Sequence, residues 1–198
     1  GFKKYSEKKI IQLIYEFNKV KTNENNYMRE NFADTFFSAD DCSKIGYIRE
    51  SIEKKYKMKE INFKEYSILV TSLLYAMDKI ANTVGHHDAY RKNVEFEKEL
   101  LLNVLLPEIS INENNTCYNA DANELIGSIK CDLLYLDPPY NSRQYSDAYH
   151  LLENVARWEK PQVYGVARKM DRSCLKSDYC MTTATKAFEE LIEKAEAK

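Results

Sequence analysis

The sequence predicts an α/β chain: the middle of an open parallel sheet joined to an α-helical module. Three observations carry this. Apolar residues recur at helical spacing from Ile10 to Ile80. The run Asp132–Leu136 (DLLYL) is apolar after its first residue, as strands buried in parallel sheets are. Around that run the elements alternate as strand, helix, strand, helix, which is the order of an open α/β sheet of which only the middle is present.

Taken in order, Ser6 caps a helix running to about Val20, with Ile10, Ile11, Ile14, Tyr15 and Phe17 as its apolar stripe. Residues 21–41 are polar and read as a loop anchored by Tyr27, Phe32, Phe36 and Phe37. Cys42–Tyr56 and Phe63 to about Val84 are helices, the second ended by Gly85. Leu100–Ile111 is an extended connector holding Pro107. Thr116–Tyr118 and Asp132–Leu136 are the two strand candidates, with a short helix at ANELIGSIK between them. Asp147–Trp158 and Thr183–Ala197 are amphipathic helices separated by a polar loop at 160–181.

Hydrophobic residues make up 44% of the 198, enough to build a core, and charged residues 30%. The net charge of −2 supplies no global basic field. No apolar run reaches the ~20 residues that span a bilayer, and no signal peptide opens the chain. The five cysteines stand apart without a C-x-x-C pair, which points away from a disulfide scaffold or zinc ribbon and toward free thiols in a reducing cytosol; no metal is expected. A cytoplasmic protein is the expectation. No two of the five glycines form G-x-G, and the chain opens on Gly1 and closes on Lys198 after a helical pattern, so it reads as a fragment.

The chemistry concentrates at Leu133-Leu134-Tyr135-Leu136-Asp137-Pro138-Pro139-Tyr140. An apolar strand runs into an aspartate, and two prolines then forbid helix and ladder alike. Such a position, outside the carboxyl end of a parallel strand, is where open α/β sheets hold ligands. Asp137 is an acceptor on a rigid mount, Pro138 has a carbonyl whose next residue carries no N–H, and Tyr140 offers a flat π face. These features suit one task, which is holding an exocyclic amine for delivery to an electrophile. Two acceptors take the two N–H hydrogens and favour a more nucleophilic nitrogen, while stacking on Tyr140 contributes ~1–3 kcal/mol.

Asp137-Pro138-Pro139-Tyr140 after an apolar strand resembles the catalytic motif of S-adenosylmethionine-dependent amino-methyltransferases. The longer string DPPYNSRQYSDAYHLLENVARWEKP, with VARKMDRS after it, resembles DNA adenine-N6 methyltransferases of the Dam-like class found in restriction–modification systems. DKIANTVGHHDAYRK (78–92) and FFSADDCSKIGYIRESIE (36–53) are similar to the same group. The resemblance implies a partial Rossmann-like, S-adenosylmethionine-dependent methyltransferase core with an α-helical insert. Residues 1–21 would be a helix of that core, 22–106 the insert that recognises the DNA target, and 107–198 the catalytic segment. It implies Asp137, Pro138, Pro139 and Tyr140 as catalytic residues, and Asp121 of Asn119-Ala120-Asp121, together with Asp137, as cofactor contacts. Asn82, His86, Tyr90, Arg143, Arg168 and Lys169 would contact duplex DNA, whose target adenine is flipped out. A cognate restriction endonuclease is the implied partner. The family's glycine-containing cofactor loop and its acidic ribose-binding residue are not among these residues, so the fragment is expected to bind S-adenosylmethionine poorly.

Plainer readings stand beside these. Asp121 also suits the cap of a helix starting at Ala122. Asn82, His86 and Tyr90 also suit a polar helix C-terminus. Residues 141–176 hold seven Lys/Arg against four acids, a local surplus fit for phosphate contacts or for a solvated face. Because DPPY does not choose the acceptor, an RNA or other amino-group methyltransferase is the first alternative. A catalytically inactive DNA-binding module is the second.

Overall fold

The computed structural model describes residues 5–107, 115–139 and 141–197. They form two compact units: Gly1–Glu113 with Tyr149–Asp171, and Asn114–Ala148 with Arg172–Lys198.

The first unit is helical. α1 (Glu7–Lys19) begins where the Ser6 hydroxyl accepts the Lys9 N–H, and it buries Ile10, Leu13, Ile14 and Phe17. α3 (Ala39–Lys57) and α4 (Phe63–Ile80) bury Ile45, Ile48, Ile52, Leu69, Leu73 and Met77 in the same core. The start of α4 is a capping box in which Asn62 and Glu65 satisfy each other's backbone N–H groups. Glu65 also accepts the Ser6 N–H at 2.9 Å and the Lys9 ammonium at 3.2 Å, so one carboxylate fastens the starts of α1 and α4.

Phe32, Phe36 and Phe37 are buried as expected, but the segment they anchor is not wholly a loop. α2 (Tyr27–Phe32) lies within it, capped by Asn26 through the N–H groups of Met28 and Arg29. Six residues are too few for periodicity to register. α4 stops at Ile80, ahead of Gly85, because Asn82 is drawn to the chain at Thr35 and Phe36: its N–H reaches the Phe36 carbonyl at 2.8 Å and its side-chain amide the Thr35 carbonyl at 2.9 Å.

The helix expected over Asp147–Trp158 is two helices, α6 (Tyr145–Ala148) and α7 (His150–Arg157). The break falls at Tyr149, whose backbone leaves the helical region (φ −120°, ψ 18°). α7 is fastened at its far end by Arg49, which is fully buried. Its guanidinium donates to the carbonyls of Val155 at 2.9 Å and Ala156 at 3.1 Å, carbonyls that a helix end leaves without partners. Glu53 at 3.0 Å balances the charge. Trp158 then ends α7 in the left-handed region (φ 58°).

The second unit has a thinner core of Ile126, Ala148, Cys180 and Leu191. α5 (Ala122–Leu125) leads through one 3₁₀ turn to β1 (Lys130–Cys131), which pairs in parallel with β2 (Glu196–Ala197). A parallel pair requires a crossover, and α8 (Ala184–Lys194) runs directly into β2. The strand expected at Asp132–Leu136 is shorter and earlier than expected, since the ladder ends at Cys131. Among the described residues no ladder continues along 133–139, because β2 offers only two residues to pair with. Thr116–Tyr118 is exposed and likewise lies outside any ladder. Among the described residues, no helix is long and apolar enough to cross a membrane.

Candidate active site

Beyond β1 the chain keeps a two-residue rhythm. Leu133 and Tyr135 are 85% and 82% exposed, and Asp137 is exposed, while Leu134, Leu136 and Pro138 are half-buried. The prolines fix the backbone at 138 and 139 and keep Asp137 extended without ladder bonds. Asp137 and Pro138 face a cavity of about 230 Å³ completed by Ala122, Tyr179, Phe188 and Leu191. Pro139 faces a second cavity of about 630 Å³, which Asn141, Ser142, Tyr179 and Met181 also line. Tyr140 lies outside the described residues.

Asp121, immediately before Ala122, caps α5: one oxygen accepts the N–H groups of Asn123 at 2.8 Å and Glu124 at 3.2 Å. Its charge also reaches Tyr179. Burial first, then the charges of Asp121 and Glu190, push the Tyr179 phenol above its ordinary pKa. The Tyr179 hydroxyl donates to the Asn123 side-chain oxygen at 2.5 Å, and the Asn123 amide donates to the Ala187 carbonyl at 2.7 Å.

The turn after the motif is built by side chains. The Asn141 carboxamide oxygen accepts the Arg143 N–H at 2.9 Å, leaving the Arg143 side chain exposed and, among the described residues, without an ion pair. Gln144 is buried and makes a two-bond clamp on Ser177, donating to its carbonyl at 3.1 Å and accepting its N–H at 2.8 Å. The Cys180 thiol donates to the Arg143 carbonyl at 3.4 Å. Segment 177–180 is thereby held against the residues that follow the motif.

The remaining candidates belong to the first unit. The Asn82 side chain bridges Thr35 and Arg91, donating to the Arg91 carbonyl at 2.8 Å and accepting its N–H at 3.4 Å, so it shapes loop 82–91. His86 Nδ1 accepts the Asp88 N–H at 3.3 Å, and Tyr90 packs edge-on against Phe36. The neighbouring His87 is buried, and its carbonyl accepts the Nε2–H of the buried His150 at 2.8 Å. Lys169 pairs with Asp88 of the same loop, and Lys169 and Tyr164 close a tight turn that presents Arg168, exposed and left-handed at φ 52°. Sequence reasoning thus named two groups. One gathers Asp137, Pro138 and the residue after Asp121 around a single cavity, and the other places Asn82, His86 and Tyr90 on one loop, to which Lys169 is joined through Asp88.

An exposed carboxylate on a stiff proline mount beside an apolar slot can accept hydrogens from a planar amine. The D12 class N6 adenine-specific DNA methyltransferase family model matches residues 2–198. The chain belongs to that family. It is also similar to named methylases. It is 40% identical over 162 residues to the modification methylase StsI of Streptococcus sanguinis, covering 80% of this chain and 24% of that protein. It is 37% identical over 164 residues to the type II methyltransferase M.FokI of Planomicrobium okeanokoites, covering 81% and 25%. With the type II methyltransferase M.NlaIII of Neisseria lactamica it shares 38% identity over 167 residues, covering 81% and 48%. The chain therefore spans between a quarter and a half of the length of these relatives. No solved structure matches it.

Within this D12-family chain, sequence reasoning missed Tyr179, Phe188, Asn123 and Gln144. Gln144 lay inside the string that carried the resemblance, and its position shortly after the prolines was its one signal. Tyr179 lies in a polar loop with no periodicity, so nothing local separated it from the other tyrosines.

Proposed function

We propose that this chain carries the amine-holding site of a site-specific DNA methyltransferase that methylates N6 of a flipped adenine in duplex DNA, the modification arm of a restriction–modification system. The observation that carries the proposal is the mounting of Asp137 and Pro138 at the edge of an apolar slot. Asp137 accepts one hydrogen of the amine and the Pro138 carbonyl the other. The nitrogen lone pair is then free to point at the electrophile, and Asp137 stands ready for the proton that the amine must lose. Such catalysis is positioning and electrostatics. Tyr140 stacks on the base and Pro139 fixes the turn.

The residues fit the purine end of S-adenosylmethionine: Phe188, Leu191 and Tyr179 line a small apolar cavity with Ala122, and Asp121, the residue before Ala122, spends one carboxylate oxygen on the cap and keeps the other. When bound, S-adenosylmethionine supplies the electrophilic methyl group. The sheet is Rossmann-like in the whole protein, a reading supported by the parallel pairing of β1 with β2 and by the apolar run Leu133–Leu136, the composition of a strand buried in a parallel sheet. The insert 22–106 recognises the target, with loop 82–91, Arg168 and Lys169 toward DNA, while Arg143 meets the backbone beside the base. A cognate endonuclease is the partner, and the cytoplasm the site of action.

The test is Asp137→Ala in the full-length protein. Turnover is expected to fall by about 10²–10³-fold, as when a group acting in the transition state is lost, with duplex affinity nearly unchanged. Methylation at the wild-type rate by this variant would remove Asp137 from the mechanism.

A further inference from the structure

We infer that Tyr179 is a positioning residue of the methyl-transfer site, its ring serving as the shared wall between a cavity for the donor's purine and a cavity for the target base. The inference deepens the function proposed above and rests on it.

Tyr179 lines both cavities that flank the motif, with Asp137 and Pro138 on one side and Pro139, Asn141 and Ser142 on the other. The smaller, about 230 Å³, falls below the ~300 Å³ at which pockets begin to hold whole drug-sized molecules. It has room for one planar ring of a larger ligand, and Phe188 and Leu191 give it apolar walls. The larger, about 630 Å³, is of ordinary ligand size, and Asn141, Ser142 and Thr182 give it polar groups that suit a nucleotide.

The ring between them is anchored at its tip and along its backbone. Its hydroxyl is bonded to Asn123, which is itself tied to the Ala187 carbonyl. On the backbone side, Gln144 clamps Ser177 and the Cys180 thiol reaches the Arg143 carbonyl, so Tyr179 is bracketed by bonds to the turn that follows the motif. A ring held this way cannot yield to a ligand in one cavity without reshaping the other. Occupancy of the two cavities is therefore coupled, and the coupling is reciprocal.

The experiment uses the full-length protein and its variants Tyr179→Phe and Tyr179→Leu. Affinity for a duplex carrying 2-aminopurine at the target is measured by fluorescence with and without saturating S-adenosylhomocysteine. In the wild type the ligand is expected to tighten duplex binding about fivefold or more. Tyr179→Phe keeps the ring and its backbone anchors and loses only the hydroxyl's bonds to Asn123 and the Ala187 carbonyl, so most of that ratio is retained. Tyr179→Leu keeps apolar bulk without a flat ring, so the ratio falls to about one while each ligand still binds alone. A residue of merely structural value would weaken both single affinities and leave the ratio in place. Retention of the wild-type ratio by Tyr179→Leu, or the absence of any coupling in the wild type, overturns the inference. Asp137→Ala separates the two levels: if it is inactive while Tyr179→Leu stays coupled, the site reading stands and the role of Tyr179 falls.

Discussion

At the scale of single residues, Glu65 shows how one side chain sets local structure and its response to pH. Burial works to raise its carboxyl pKa, but the N–H groups of Ser6 and Asn62 and the Lys9 ammonium outweigh that and hold it below the usual range. A carboxylate held low in the folded chain contributes stability that is present above its unfolded value, near ~4.3. That contribution is lost as pH falls through the lower folded value. The thermal midpoint of the wild type is therefore expected to drop as pH falls from about 5 to about 3. Glu65→Gln should start lower, by about 1–3 kcal/mol of stability, and fall less steeply. Parallel pH profiles from scanning calorimetry of the two proteins would contradict this. Legibility at this scale was uneven. Ser6 and Asp121 were readable as caps because a cap is a local event. Glu65 was not, because its carboxylate also bonds to residues 56 and 59 positions away.

At the scale of elements, α2 is the instructive case. Its cap, Asn26, reaches the Ser43 carbonyl at 2.9 Å and so lies directly on α3 at Gly46. A Cβ at residue 46 would fall 2.2 Å from the Asn26 oxygen, a distance no side chain tolerates. Gly46→Ala is expected to destabilise the protein by about 1–3 kcal/mol, the range typical of overpacking. Adding Asn26→Ala should recover part of that loss, since residues in contact do not act additively. A urea midpoint unmoved by Gly46→Ala would refute the close packing of α2 on α3. The apolar spacing made α1, α3 and α4 readable, because each presents several turns of one stripe to a core, and α8 readable although it buries only Leu191. It could not reveal α2, which is shorter than two turns, nor the break at Tyr149, which interrupts an otherwise continuous pattern. DLLYL was read correctly as special and less well as a strand. Composition marks a segment that wants neighbours on both sides, whereas a ladder needs those neighbours to be at hand.

At the scale of the whole molecule, the motif made the chemistry legible, while long-range contacts decided the architecture. Asp137 and the two prolines stand together in the sequence, so their joint use could be inferred without knowing the fold. The joining of Tyr149–Asp171 to the N-terminal helices could not, because it depends on Arg49 reaching the carbonyls of Val155 and Ala156, more than a hundred residues away. The slot beside Asp137 likewise depends on Tyr179 and Phe188 from the far side of the chain. On the proposed function, the amine held at Asp137 and Pro138 is N6 of adenine in duplex DNA. The most direct measurement gives the full-length protein isotopically labelled S-adenosylmethionine with an equimolar mixture of duplex DNA and structured RNA, followed by nucleoside analysis of both. The account predicts label in N6-methyldeoxyadenosine at one sequence in the DNA. Label in the RNA, or on another base of the DNA, would contradict it.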